Sequence, residues 1–104
     1  MQYRQFRLED LPKNISRPDV DLVFGANGAV GGIMICDMEK YGPFGIHDDQ
    51  EGCLILEGNG SFWCDGEEIK VCPEMAILIP PHVRHCFKKD IGTPDMKIFY
   101  FHAM

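Results

Sequence analysis

Turn-forming residues constrain this chain more than any other feature. Eleven glycines and seven prolines fall within 104 residues and cut it into short pieces. Glycine in a helix interior costs roughly 1 kcal/mol and proline about 3, so a chain punctuated this closely has little room for helices. No segment sustains an apolar period of 3.6 residues beyond one turn. The pieces between the breaks are instead β-branched, aromatic or alternating. They read as strands over Asp21 to Phe24, Val30 to Met38, Gly52 to Glu57, Ser61 to Cys64, Glu67 to Val71, Met75 to Ile79, Val83 to Phe87 and Met96 to His102. Asp65-Gly66 is a strong two-residue hairpin signal, and Asn27-Gly28 marks a second tight turn. One helical turn is expected around Leu8 to Asn14, limited by Pro12. Many short strands at even spacing predict an all-β sandwich or barrel. The length allows one domain with one modest core, residues 1–104, with the barrel over about 30–102 and an N-terminal extension over 1–29.

Three of these strands are apolar on both faces: Cys53 to Leu56, Ala76 to Ile79 and Ile98 to Phe101. They lack the alternation of a half-exposed strand. Their outer face needs a cover, and a second copy of the chain is the economical one, so a homodimer is expected. Coverage by the N-terminal segment is the alternative.

Composition excludes several partners. No apolar run approaches the roughly 20 residues that span a bilayer, so no membrane role is expected. A formal charge of −6 disfavours a nucleic acid. The segment Met1 to Arg7 has basic residues with no apolar stretch behind them and does not read as a signal peptide. Five cysteines with no CxxC pair fit free thiols in the cytoplasm, most of them packed as small hydrophobes, with Cys53 the exception because it falls beside Glu51.

The chemistry-bearing residues gather in two places. His47 and Glu51 stand four apart, just before an apolar run that ends at Gly58. His85 follows Pro80-Pro81. Imidazole nitrogen and carboxylate oxygen are ligands that divalent transition metals prefer. Strand side chains alternate, so Glu51, Cys53 and Ile55 share one face and His47 has the parity of Glu51. His85 and Phe87 share a face of a later strand, and Ile98, Tyr100 and His102 share a face of the last. A small, mostly apolar pocket of Cys53, Ile55, Phe62, Phe87 and Tyr100 follows, with Trp63 outside if Phe62 and Cys64 face inward. His102 is an extra ligand or a proton carrier on this reading, and Glu51, Tyr100 and Cys53 are further candidates for proton transfer. Each residue also has a plainer reading: His47 and Glu51 as a solvated loop end, His85 as a backbone-bonded core histidine. His82 falls in the turn after the prolines and is expected to be exposed.

The pattern resembles the cupin superfamily. The family's first motif has two His separated by one residue, a Glu four residues after the second, and a Gly seven residues later. His47, Glu51 and Gly58 match the last three of these, and Gly45 replaces the first His. The second motif has a Pro-x-Gly turn and then a His. Pro80 and His85 match, while His82 stands at the glycine, Glu74 at the glycine that opens the motif and Lys89 at the Asn that often closes it. The resemblance covers about residues 30 to 102. It implies a double-stranded β-helix of the jelly-roll type holding Fe, Mn, Ni or Zn through His47, Glu51 and His85. A metal with open positions fits isomerase, lyase or dioxygenase chemistry on a small oxygenated molecule. Loss of the ligand at Gly45 equally fits a binding or sensor cupin with weak or no metal.

Overall fold

The computed structural model describes residues 7, 23–24 and 30–103. The expected helical turn around Leu8 to Asn14 and the Asn27-Gly28 turn lie outside them. The eight strands are β1 (Val23–Phe24), β2 (Val30–Cys36), β3 (Gln50–Glu57), β4 (Gly60–Cys64), β5 (Glu67–Val71), β6 (Ala76–Ile79), β7 (His85–Lys89) and β8 (Met96–Ala103). No described residue is helical. The strands form two antiparallel sheets, one in the order β1-β2-β8-β3-β6 and one in the order β5-β4-β7. This is the expected all-β, double-stranded β-helix architecture.

The core lies between the sheets, where alternation aims one side chain in two inward. Ile55 from β3, Ile79 from β6 and Met96 and Ile98 from β8 meet Phe62 from β4 and Phe87 from β7. Met96 and Ile98 are wholly buried. Each such side chain contributes roughly 1.5–3 kcal/mol of apolar transfer free energy. Trp63, on the other face of β4, packs against the Phe44 ring at a centroid distance of 4.7 Å.

Two glycine turns make the path possible. Asp65 and Gly66 both have positive φ, 48° and 92°, the pattern of a type I′ hairpin between β4 and β5. At Gly58 the chain crosses from one sheet to the other with φ 89°. A Cβ there would stand 2.8 Å from Met96 Cα, so only glycine fits without displacing β8.

The strands differ from expectation at their ends. β3 starts at Gln50 because that residue and Glu51 already pair with Ala103 and His102 of β8. β7 starts at His85 rather than Val83, because the chain is still turning at His82, whose φ is 65°. On the outer face, Leu78, Gly52 and Phe101 form one row across β6, β3 and β8. The Phe101 ring lies where a Cβ on Gly52 would go. Leu54, Leu78 and Phe101 stay exposed, which is the apolar band behind the expectation of a homodimer.

Candidate metal centre

Four elements bring the site together. Glu51 is on β3 and His102 lies opposite it in register on β8. His85 opens β7. His47 lies in the segment before β3, which two backbone ties hold against the β6–β7 turn. Gly45 and His85 form a two-way bridge, with N···O distances of 2.9 and 3.0 Å. The His82 amide donates to the His47 carbonyl at 2.9 Å. A loop residue is thereby tied by backbone hydrogen bonds to the turn that carries His85.

The structure brings His47, Glu51 and His85 together as the sequence suggests. His47 Nε2 is 3.0 Å from Glu51 Oε1 and 3.3 Å from His85 Nε2, and His85 Nε2 is 3.4 Å from Glu51 Oε1. Bonds of about 2.1 Å to one ion, at angles between octahedral and tetrahedral, place neighbouring donors roughly 3.0–3.4 Å apart. The other ring nitrogens are engaged. His85 Nδ1 is 3.0 Å from the Val83 carbonyl oxygen, and His47 Nδ1 is 3.0 Å from the Asp49 carbonyl oxygen, with Asp49 Oδ1 nearby at 2.8 Å. Acceptors at Nδ1 fix the tautomer that leaves Nε2 free to ligate. The donor set therefore fits a divalent transition metal.

Electrostatics favour the ligating form of Glu51. Burial acts to raise its carboxyl, but hydrogen bonds from His85 and Cys53 and the nearby charges of His102 and His85 outweigh this and hold it below its ordinary value. Burial acts to lower His85, and the bond to Glu51, the Val83 carbonyl and the Glu51 charge raise it. Cys53 is neutral: burial above all, then the Glu51 charge and hydrogen bond, push its thiol far up. Its S–H donates to Glu51 Oε2 at 3.2 Å. Oε2 is thus occupied from within the core while Oε1 faces the two imidazoles.

Beside these residues is a cavity of about 440 Å³, lined among others by Met34, Phe44, Gly45, Phe87, Tyr100 and His102. Of the residues that parity assigns to the pocket, Phe87 and Tyr100 line it. Cys53, Ile55 and Phe62 lie deeper, in the core, and do not line it. Parity gives the face of a strand but not the depth along it. His82 is exposed in its turn, 3.5 Å from Asp48 Oδ1. Asp49 is the residue sequence reasoning missed. Its Oδ1 also lies 3.0 Å from His102 Nδ1. It lies in a bend before β3, where strand parity gives no signal.

Residues 34–101 match the family model of the cupin domain. This chain belongs to the cupin family. Similar folds include the Cnp3 cupin domain of Schizosaccharomyces pombe, with TM-score 0.82 and 14% identity over 96% of this chain and 73% of that one. A cupin superfamily protein of Desulfitobacterium hafniense has TM-score 0.77 and 15% identity, covering 100% of this chain and 94% of its own. Fe(II)-HppE with an alternative substrate has TM-score 0.76 and 19% identity over 91% of this chain and 54% of that protein. No curated protein matches this sequence. Among the described residues, no helix is long and apolar enough to cross a membrane.

Proposed function

We propose that this cupin holds a divalent transition metal, of the Fe, Mn, Ni or Zn group, through His47 Nε2, Glu51 Oε1 and His85 Nε2, and takes a small oxygenated organic molecule in the adjoining cavity. The observation that carries this reading is the mutual spacing of 3.0, 3.3 and 3.4 Å among those three atoms. The bound metal would supply Lewis-acid or dioxygen chemistry to a ligand oxygen.

The protein's own contribution is shape and polarity. The volume of about 440 Å³ suits a small ligand. Met34, Ile35, Met38, Phe44 and Phe87 give it apolar walls. No lining residue is Lys or Arg among the described residues. Among the described residues a phosphate or multiply charged acid would meet no fixed cation beyond the metal, which favours a molecule with one or two metal-binding oxygens and little other charge. Tyr100 lines the wall within the buried interior and is the group placed to hold or move a proton at such an oxygen. Five free cysteines support a reducing, cytoplasmic setting.

Elemental analysis of tag-free protein, after loading with Fe, Mn, Ni or Zn, tests this. One ion per chain is expected, with occupancy lost in His47→Ala and His85→Ala while the fold persists. No bound ion in any loading would overturn the metal reading. It would leave a metal-free binding module, the alternative that Gly45 in place of a ligand favours.

A further inference from the structure

Gly45 contributes no side chain to the centre, yet the region around Glu51 holds a third imidazole. His102, on β8, is the cross-strand partner of Glu51. Its Nε2 lies 3.5 Å from Glu51 Oε1, the same oxygen that His47 and His85 approach. Its Nδ1 is 3.0 Å from Asp49 Oδ1, which also lies 2.8 Å from His47 Nδ1. Asp49 thus serves both rings at Nδ1, its carboxylate bonding His102 and its backbone carbonyl accepting from His47 at 3.0 Å, while the Nε2 atoms of both rings lie near Glu51 Oε1. The rings meet edge to face, with centroids 4.6 Å apart. His85 is oriented in the same sense by the Val83 carbonyl. Three imidazoles with engaged Nδ1 atoms thus present their Nε2 atoms within 3.5 Å of one carboxylate oxygen, a donor set that suits a cation.

We propose that His102 is a fourth ligand of the metal, supplying from β8 the imidazole that Gly45 lacks, and that the Asp49 carboxylate is the positioning group that aims His102. This rests on the three-residue centre proposed above. It makes His102 a ligand rather than a proton carrier.

Zinc is a suitable probe, because its X-ray absorption fine structure counts bound imidazoles and its affinity needs no assay of activity. Three imidazoles are expected in the wild-type protein. Two are expected in His102→Ala, with zinc affinity lower by at least about tenfold. Asp49→Asn should keep three imidazoles and bind zinc more weakly. His102→Gln, which keeps side-chain bulk on β8, guards against loss of fold, and circular dichroism checks both variants. If both unfold, the imidazole count in wild-type protein decides. A wild-type count of two, or wild-type affinity in both folded His102 variants, would overturn His102 as a ligand and leave the three-residue centre standing. Wild-type affinity in Asp49→Asn would overturn the positioning role. Failure of the wild-type protein to bind zinc would overturn the centre itself, and this proposal with it.

Discussion

Gly45 and His85 are bound to each other twice through their backbones, at 2.9 and 3.0 Å, and a Cβ on residue 45 would lie 3.3 Å from His85 Nε2. That is tighter than ordinary van der Waals contact, and the bridge prevents the two backbones from separating. The imidazole has to yield instead. Gly45→Ala should therefore tilt the His85 ring without disturbing the core. The expected result is metal affinity lower by roughly tenfold, the scale seen when ligand orientation is lost, with an unchanged thermal midpoint for metal-free protein. Isothermal titration of a chelated sample checks this. Undiminished affinity would show that the ring is not held where the bridge places it.

Glu74 and His82 both adopt left-handed backbone, with φ of 77° and 65°. These are the two positions where the cupin pattern leads one to expect glycine. A side chain there costs about 1 kcal/mol or slightly more, partly offset because glycine adds freedom to the unfolded chain, about 0.4–1 kcal/mol. Glu74→Gly and His82→Gly should each stabilise the protein by a few tenths of a kcal/mol net, a rise of roughly 1–3 °C in Tm. Both side chains are exposed, so neither change removes a core contact. Metal content should not move in either variant. A lower Tm in both, measured by calorimetry, would mean that the side chains hold these turns by contacts that outweigh the strain.

These two turns also show where the sequence was informative. A strand's period of two is local, so the inward faces of Glu51, His85 and Tyr100 were legible without knowing any partner. The Asp65-Gly66 hairpin was legible for the same reason, since its turn geometry depends on two adjacent residues. Register was not legible. That Glu51 sits opposite His102, and that Gly45 bridges His85, follows from how separate strands pair, and no local pattern encodes it. Depth was lost too, which is why Cys53, Ile55 and Phe62 were assigned to the pocket although they fill the core below it. Asp49 went unrecognised because one of three acidic residues near His47 looks like any solvated loop until the fold brings His102 to it.

The Glu51–His85 pair predicts how metal-free protein should respond to pH. Burial opposes charge on Glu51, but its hydrogen bonds and neighbouring charges prevail, so its folded value lies below the ordinary 4.5. A depressed carboxyl contributes stability above about 4.5 that is lost as pH falls through the folded value. Burial opposes charge on His85 as well, yet Glu51 and the Val83 carbonyl raise it above the ordinary 6.5. A raised imidazole contributes stability that is fully present below 6.5 and is lost as pH rises through the folded value. Chelator-treated protein should therefore be most stable between about pH 4.5 and 6.5 and should weaken on both sides. Urea midpoints measured from pH 4 to pH 9 would show this dome. Glu51→Gln should flatten it, because that substitution removes the depressed carboxyl and most of what raises His85. A midpoint that climbs steadily from pH 5 to pH 8 would show that His85 folds neutral, with burial rather than Glu51 setting its charge.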